Sequence, residues 1–81
     1  MARSKKYSVI VHDDDFHQID EVVDAFRKLF GYENIQAMSC ATLVQQRGSY
    51  ACKSFSDLSM AKTVAKYLQN LDFKVEVAYL K

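Results

Sequence analysis

Ile19, Val22, Val23, Phe26, Leu29 and Phe30 recur at spacings of three and four, and the run stops at Gly31, one of two glycines in a chain without proline. That spacing lays a single apolar stripe along a helix, and glycine tolerates the left-handed conformation in which helices commonly end. A helix with one apolar face needs a second layer to cover it. At 81 residues there is room for one core only, and a chain of this size buries about 60% of the surface that it exposes when unfolded. A large internal cavity is therefore not expected, and function belongs in a surface groove. Residues 1–6, polar and basic, are expected to form a flexible tail, and residues 7–81 a single domain.

Period-two alternation supplies the second layer. Tyr7, Val9 and Val11 alternate with Ser8, Ile10 and His12, as in a partly buried strand. Ser49 to Phe55 alternates more loosely, and Phe73, Val75, Val77 and Tyr79 alternate with Lys74, Glu76 and Ala78. A second helix is expected after Tyr32, with Ile35, Met38, Ala41 and Val44 as its stripe and Gly48 as its stop. A third carries Leu58, Ala61, Val64, Ala65, Leu68 and Leu71, with Ser56 as its cap. The expected fold is α+β, a two-layer sandwich in the order β-α-α-β-α-β, with three helices covering a three-stranded antiparallel sheet.

Composition excludes several functions. Net charge is +1, and there are no low-complexity runs, so neither a globally basic nucleic-acid binder nor a disordered chain is indicated. No apolar run approaches the roughly 20 residues that span a bilayer, and no signal-like segment follows the basic start, so a cytoplasmic setting is expected. Cys40 and Cys52 fall within packed elements with no neighbouring histidine, as small buried hydrophobes rather than nucleophiles or a disulfide framework.

The densest polar feature is His12-Asp13-Asp14-Asp15-Phe16-His17, at the junction of a strand and a helix. One or two of these aspartates can serve turn and cap. Three adjacent carboxylates still repel one another unless a cation lies between them, whether a metal ion, a Lys or Arg, or a ligand ammonium. The donors lack the spacing of a calcium loop or of a helical zinc site, so no metal is expected. The acids are also segregated: six of the ten lie in residues 13–24, which contain no Lys or Arg, and the rest of the chain carries all 11 basic residues.

Tyr7 to Phe16, followed by a helix ending Lys28-Leu29-Phe30-Gly31-Tyr32, resembles the ClpS family, adaptors of the AAA+ Clp protease, in which a strand patterned Y-x-V-x-x-x-N-D-D-Y/F enters a helix ending in F-G or F-S-Y. Gln46-Arg47-Gly48-Ser49-Tyr50-Ala51-Cys52 is similar to that family's H-x-x-G-x-A-x-C. The resemblance implies an adaptor without catalytic residues, cofactor or metal. It would bind the first residue of substrate proteins and hand them to the N-terminal domain of a Clp-family unfoldase, with no nucleic-acid or membrane partner. It further implies an amino-group site at Asp13, Asp14 and Gln45, and pocket walls at Ile19, Val22, Ala41 and Val44, with His17 where the family often places Thr. Asp13 stands for the family's Asn, Gln45 for its His, Ile19 for a Met-like gate and Ala41 for a larger apolar residue. Leu58 and Thr63 occupy positions where the family presents charges to the unfoldase.

These replacements admit a second reading, a diverged interaction domain that binds an internal segment or another partner, for which a groove filled by side chains would speak. RNA contact through Lys62, Lys66, Arg27 and Lys28 is a third, although no aromatic platform accompanies those charges.

Overall fold

The computed structural model describes residues 6–79. Of the tail expected over residues 1–6, only Lys6 lies within them, and it is exposed. The elements are β1 (Tyr7–His12), α1 (Ile19–Phe30), α2 (Asn34–Arg47), β2 (Ser49–Phe55), α3 (Leu58–Asn70) and β3 (Val75–Tyr79). The strands form one sheet in the order β2-β1-β3, both pairings antiparallel. The fold is the expected α+β arrangement.

Val9 and Val11 of β1 and Val75 of β3 are buried against Phe26 and Phe30 of α1, Ala37, Ala41 and Val44 of α2, and Ala61, Ala65 and Leu68 of α3. On the opposite face, Ile10 is flanked by Ala51 and Glu76, both exposed. Ser8 is buried there, and its hydroxyl shares a 2.8 Å hydrogen bond with that of Ser54. The β1–β2 register shifts between Val9 and Ile10, passing from Lys53 to Ala51, so that Cys52 is the unpaired residue of a bulge. Among the described residues, no helix is long and apolar enough to cross a membrane.

Helix ends depart from expectation in instructive ways. No aspartate caps α1; its N-cap is Gln18, whose backbone N–H donates to the Glu21 carboxylate at 2.8 Å. For α3 the cap is Asp57 rather than Ser56, its carboxylate accepting from the Ser59 N–H at 2.9 Å. Two of the residues assigned to the stripe of α2 are wrong: Ile35 is 80% exposed and Met38 42%, while Ala37 is buried with Ala41 and Val44. Residues two apart on a helix differ by about 200°, so packing the small Ala37 against the core turns Ile35 to solvent. Leu71 also points outward, at 51% exposure. Asp72 adopts a left-handed φ of 68°, and the Leu71 and Phe73 N–H groups both donate to the Leu68 carbonyl at 3.0 Å, closing a tight turn that directs Phe73 inward.

Candidate functional site

The end of β1 is tied on both sides. The His12 N–H donates to the Lys74 carbonyl and the Asp13 N–H to the Gly48 carbonyl, each at 2.9 Å. Gly48, at φ 82°, presents that carbonyl from a left-handed conformation at the end of α2. The backbone of Asp13 is thereby held beside the last turn of α2, where Gln45 lies.

Asp14 organises the turn that follows. Its Oδ1 accepts from the N–H groups of Phe16 (3.1 Å) and His17 (2.8 Å), and its Oδ2 lies 2.6 Å from His17 Nδ1. The second ring nitrogen, Nε2, lies 2.8 Å from the Leu71 carbonyl, and the ring stacks on Phe73 with centroids 3.8 Å apart and planes 5° from parallel. A carbonyl only accepts, and so does an ionised carboxylate. With Asp14 ionised, both ring nitrogens face acceptors, an arrangement that favours the imidazolium form of His17. The side chains of His17 and Asp14 are only 9% and 15% exposed. Burial alone would push the His17 pKa down, but the bonds to Asp14 and Leu71 and the charges of Asp14 and Glu21 outweigh it and raise the value. For Asp14, burial pushes upward and is outweighed by the two backbone N–H groups, the His17 ring and its charge, so the pKa is lowered. The cation that three adjacent aspartates call for is supplied by the chain itself.

Seven of the eight residues singled out from sequence come together. Asp13, Asp14, His17, Val22, Ala41, Val44 and Gln45 line one cavity between β1, α1 and α2. Ile19 does not line it; it is half-buried and packs against the core. Val11, His12 and Phe73 complete the lining. His12 opens the polar run noted in the sequence but was not assigned to the site, and sequence reasoning missed Val11 and Phe73, whose alternating patterns mark core faces of strands and carry no sign of a site. The cavity volume is about 10 Å³, room for roughly one water molecule. Asp13 and Gln45 are exposed at its mouth. Among the described residues no hydrogen bond engages either side chain, whereas Asp14 is fully occupied with its own turn.

A larger groove of about 360 Å³ lies on the other side of His17, lined by Glu21, Asp24, Ala25, Lys28 and Leu29 of α1 together with Leu71 and Phe73. His17 and Phe73, whose rings stack, line both cavities. Elsewhere the chemistry is quiet. Both cysteines are free; burial pushes the Cys52 thiol up to about 12 and also raises that of Cys40, which keeps both protonated and poorly nucleophilic. Among the described residues, no three His, Cys, Asp or Glu side chains converge as a metal site.

Comparison with known proteins adds two findings. The sequence model of the family described as ATP-dependent Clp protease adaptor protein ClpS matches residues 2–74. Among solved structures, one titled as Agrobacterium tumefaciens ClpS2 bound to L-phenylalaninamide superposes with a TM-score of 0.85 at 17% identity, covering 93% of this chain and 96% of that one. No curated protein matches the chain.

Proposed function

We propose, from the premise that this chain belongs to the ClpS family of ATP-dependent Clp protease adaptors, that it binds the N-terminal residue of substrate proteins and delivers them to a Clp-family AAA+ unfoldase in the cytoplasm. Members of the family are adaptors rather than enzymes, and the protonated thiols described above agree with a non-catalytic role.

One observation carries the reading: Asp13 and Gln45 offer exposed acceptors at the mouth of a cavity walled by Val22, Ala41 and Val44. An α-ammonium is a compact cation with three hydrogens to donate, and a carboxylate beside an amide oxygen meets that need. The apolar walls suit the side chain of the same residue. The similarly folded ClpS2 is bound to L-phenylalaninamide, which pairs a free α-amine with an apolar ring. Asp14 lies deeper than Asp13 and contributes charge at the same end.

Titration calorimetry with a short peptide beginning with phenylalanine, and with its N-acetylated form, tests the proposal. A hydrogen bond to a charged group is worth about 1.5–3 kcal/mol, so acetylation, or Asp13→Ala, should weaken binding by roughly 10- to 100-fold. Equal affinity for both peptides would overturn the amine site.

The alternative, a diverged ClpS-like interaction domain, is favoured by the small size of the cavity. The cavity holds about 10 Å³, against the roughly 300–1,000 Å³ usual for ligand pockets. In that reading another segment binds outside the cavity, and acetylation changes nothing.

A further inference from the structure

We infer that His17 is an internal competitor for the ligand's ammonium: its ring occupies the Asp14 carboxylate and lines the recognition cavity, so an N-terminus that enters past Asp13 and Gln45 to bond Asp14 as well must displace it. This rests on the amine-binding reading above and deepens it. Asp14 Oδ2 is held at 2.6 Å by His17 Nδ1, so a ligand ammonium that bonds this oxygen competes with the ring for it. The same ring, stacked on Phe73, lines both the cavity of about 10 Å³ and the groove of about 360 Å³. When His17 swings away, the carboxylate is freed and the two spaces join, which gives a bulky first side chain somewhere to go. One movement thus exposes both halves of the site.

The groups facing His17 set the direction of its pH dependence. Asp14 approaches from its own turn and the Leu71 carbonyl from the α3–β3 turn. Glu21, Asp24 and Lys28 of α1 share the larger groove with it, and His12, Asp13 and Gln45 share the smaller cavity. Acids predominate, and Lys28 is paired with Asp24 at 3.0 Å, so the docked ring is held protonated. A displaced ring in solvent returns to its ordinary pKa of about 6.5. Between that value and the raised one, ligand binding releases a proton, while the ligand's own α-amine stays charged up to about pH 7.7.

The test compares the wild-type chain with His17→Thr and His17→Gln, using the peptide beginning with phenylalanine and its N-acetylated form at a pH between the ordinary imidazole value and the His17 value that NMR reads in the free protein. Calorimetry in two buffers of different ionisation enthalpy counts protons, and NMR titration of the free protein reads the His17 imidazole. Expected are proton release by the wild type and none by either variant, about tenfold tighter binding by both variants, and a His17 pKa above the ordinary value that falls in Asp14→Asn. Amine-dependent binding without proton release, variants that bind no tighter, or an ordinary His17 pKa would each overturn the inference and leave the amine site standing. Indifference to acetylation in all three proteins overturns the amine reading and this inference with it. Should both variants fail to fold, proton release by the wild type still decides.

Discussion

A histidine whose two ring nitrogens both face acceptors ties the stability of the fold to pH in a definite direction. Folding raises the His17 pKa, so its contribution is complete below about pH 6.5 and fades as pH climbs through the raised value. Folding lowers the Asp14 pKa, so that contribution is complete above about pH 4 and is lost as pH falls through the lowered value. The pair therefore stabilises most between these limits. Asp14→Asn should lower the unfolding free energy, measured in urea at about pH 5.5, by about 1–3 kcal/mol. It should also flatten the dependence of stability on pH. Part of this was legible in the sequence, since three adjacent aspartates demand a nearby cation. The identity of that cation was not, because one of the two acceptors that favour the charged form of His17, the Leu71 carbonyl, lies 54 residues away along the chain.

Between elements, the contacts that count are made by helix ends. Lys53 of β2 donates its ammonium to the Phe30 carbonyl at 2.7 Å, meeting one of the unpaired acceptors at the negative end of α1. Lys53→Met should lower stability by about 1 kcal/mol, read as a shift in the urea midpoint without a change in slope. At the end of α2, Gly48 has open space where a Cβ would be added, and its φ of 82° is the only obstacle to one. Gly48→Ala should then cost about 1–2 kcal/mol in thermal or urea unfolding. Because its carbonyl holds Asp13, the variant should also weaken binding of the free-amine peptide. The stripe of α1 was legible because large apolar residues define it, and Gly31 and Gly48 marked their helix ends correctly. The buried face of α2 was legible only in part: Ala41 and Val44 were placed correctly, but Ala37 was missed because the weak apolar signal of alanine is drowned by the exposed Ile35 and Met38. The cap of α3 was misplaced by one residue for a similar reason: Ser56 and Asp57 are both competent caps, and only the geometry chooses between them.

Across the whole molecule, a net charge of +1 conceals a segregated surface. Asp13, Asp15, Asp20, Glu21 and Asp24 are exposed along the turn and the first half of α1, beside both cavities. A cationic N-terminus should be drawn to this edge. The association rate of the free-amine peptide, measured by stopped flow, should fall several-fold between about 0.01 M and about 0.15 M salt, with a smaller change in dissociation. The fold at this scale was legible from element order and alternation, whereas the stacking of His17 on Phe73 beside the cavity left no trace in any pattern. The position of β1 has one further consequence, for the order in which a growing chain becomes competent. It is the middle strand, yet it precedes both of its neighbours, whose paired segments end at Phe55 and Tyr79. During synthesis, β2 follows directly on α2, whereas β3 emerges only after α3, and closing the distant pairing of β1 with β3 is slow. The Lys74 carbonyl that anchors His12 emerges only with the lead into the last strand. The end of β1 is thereby fixed on both sides only when nearly all of the described fold has been made.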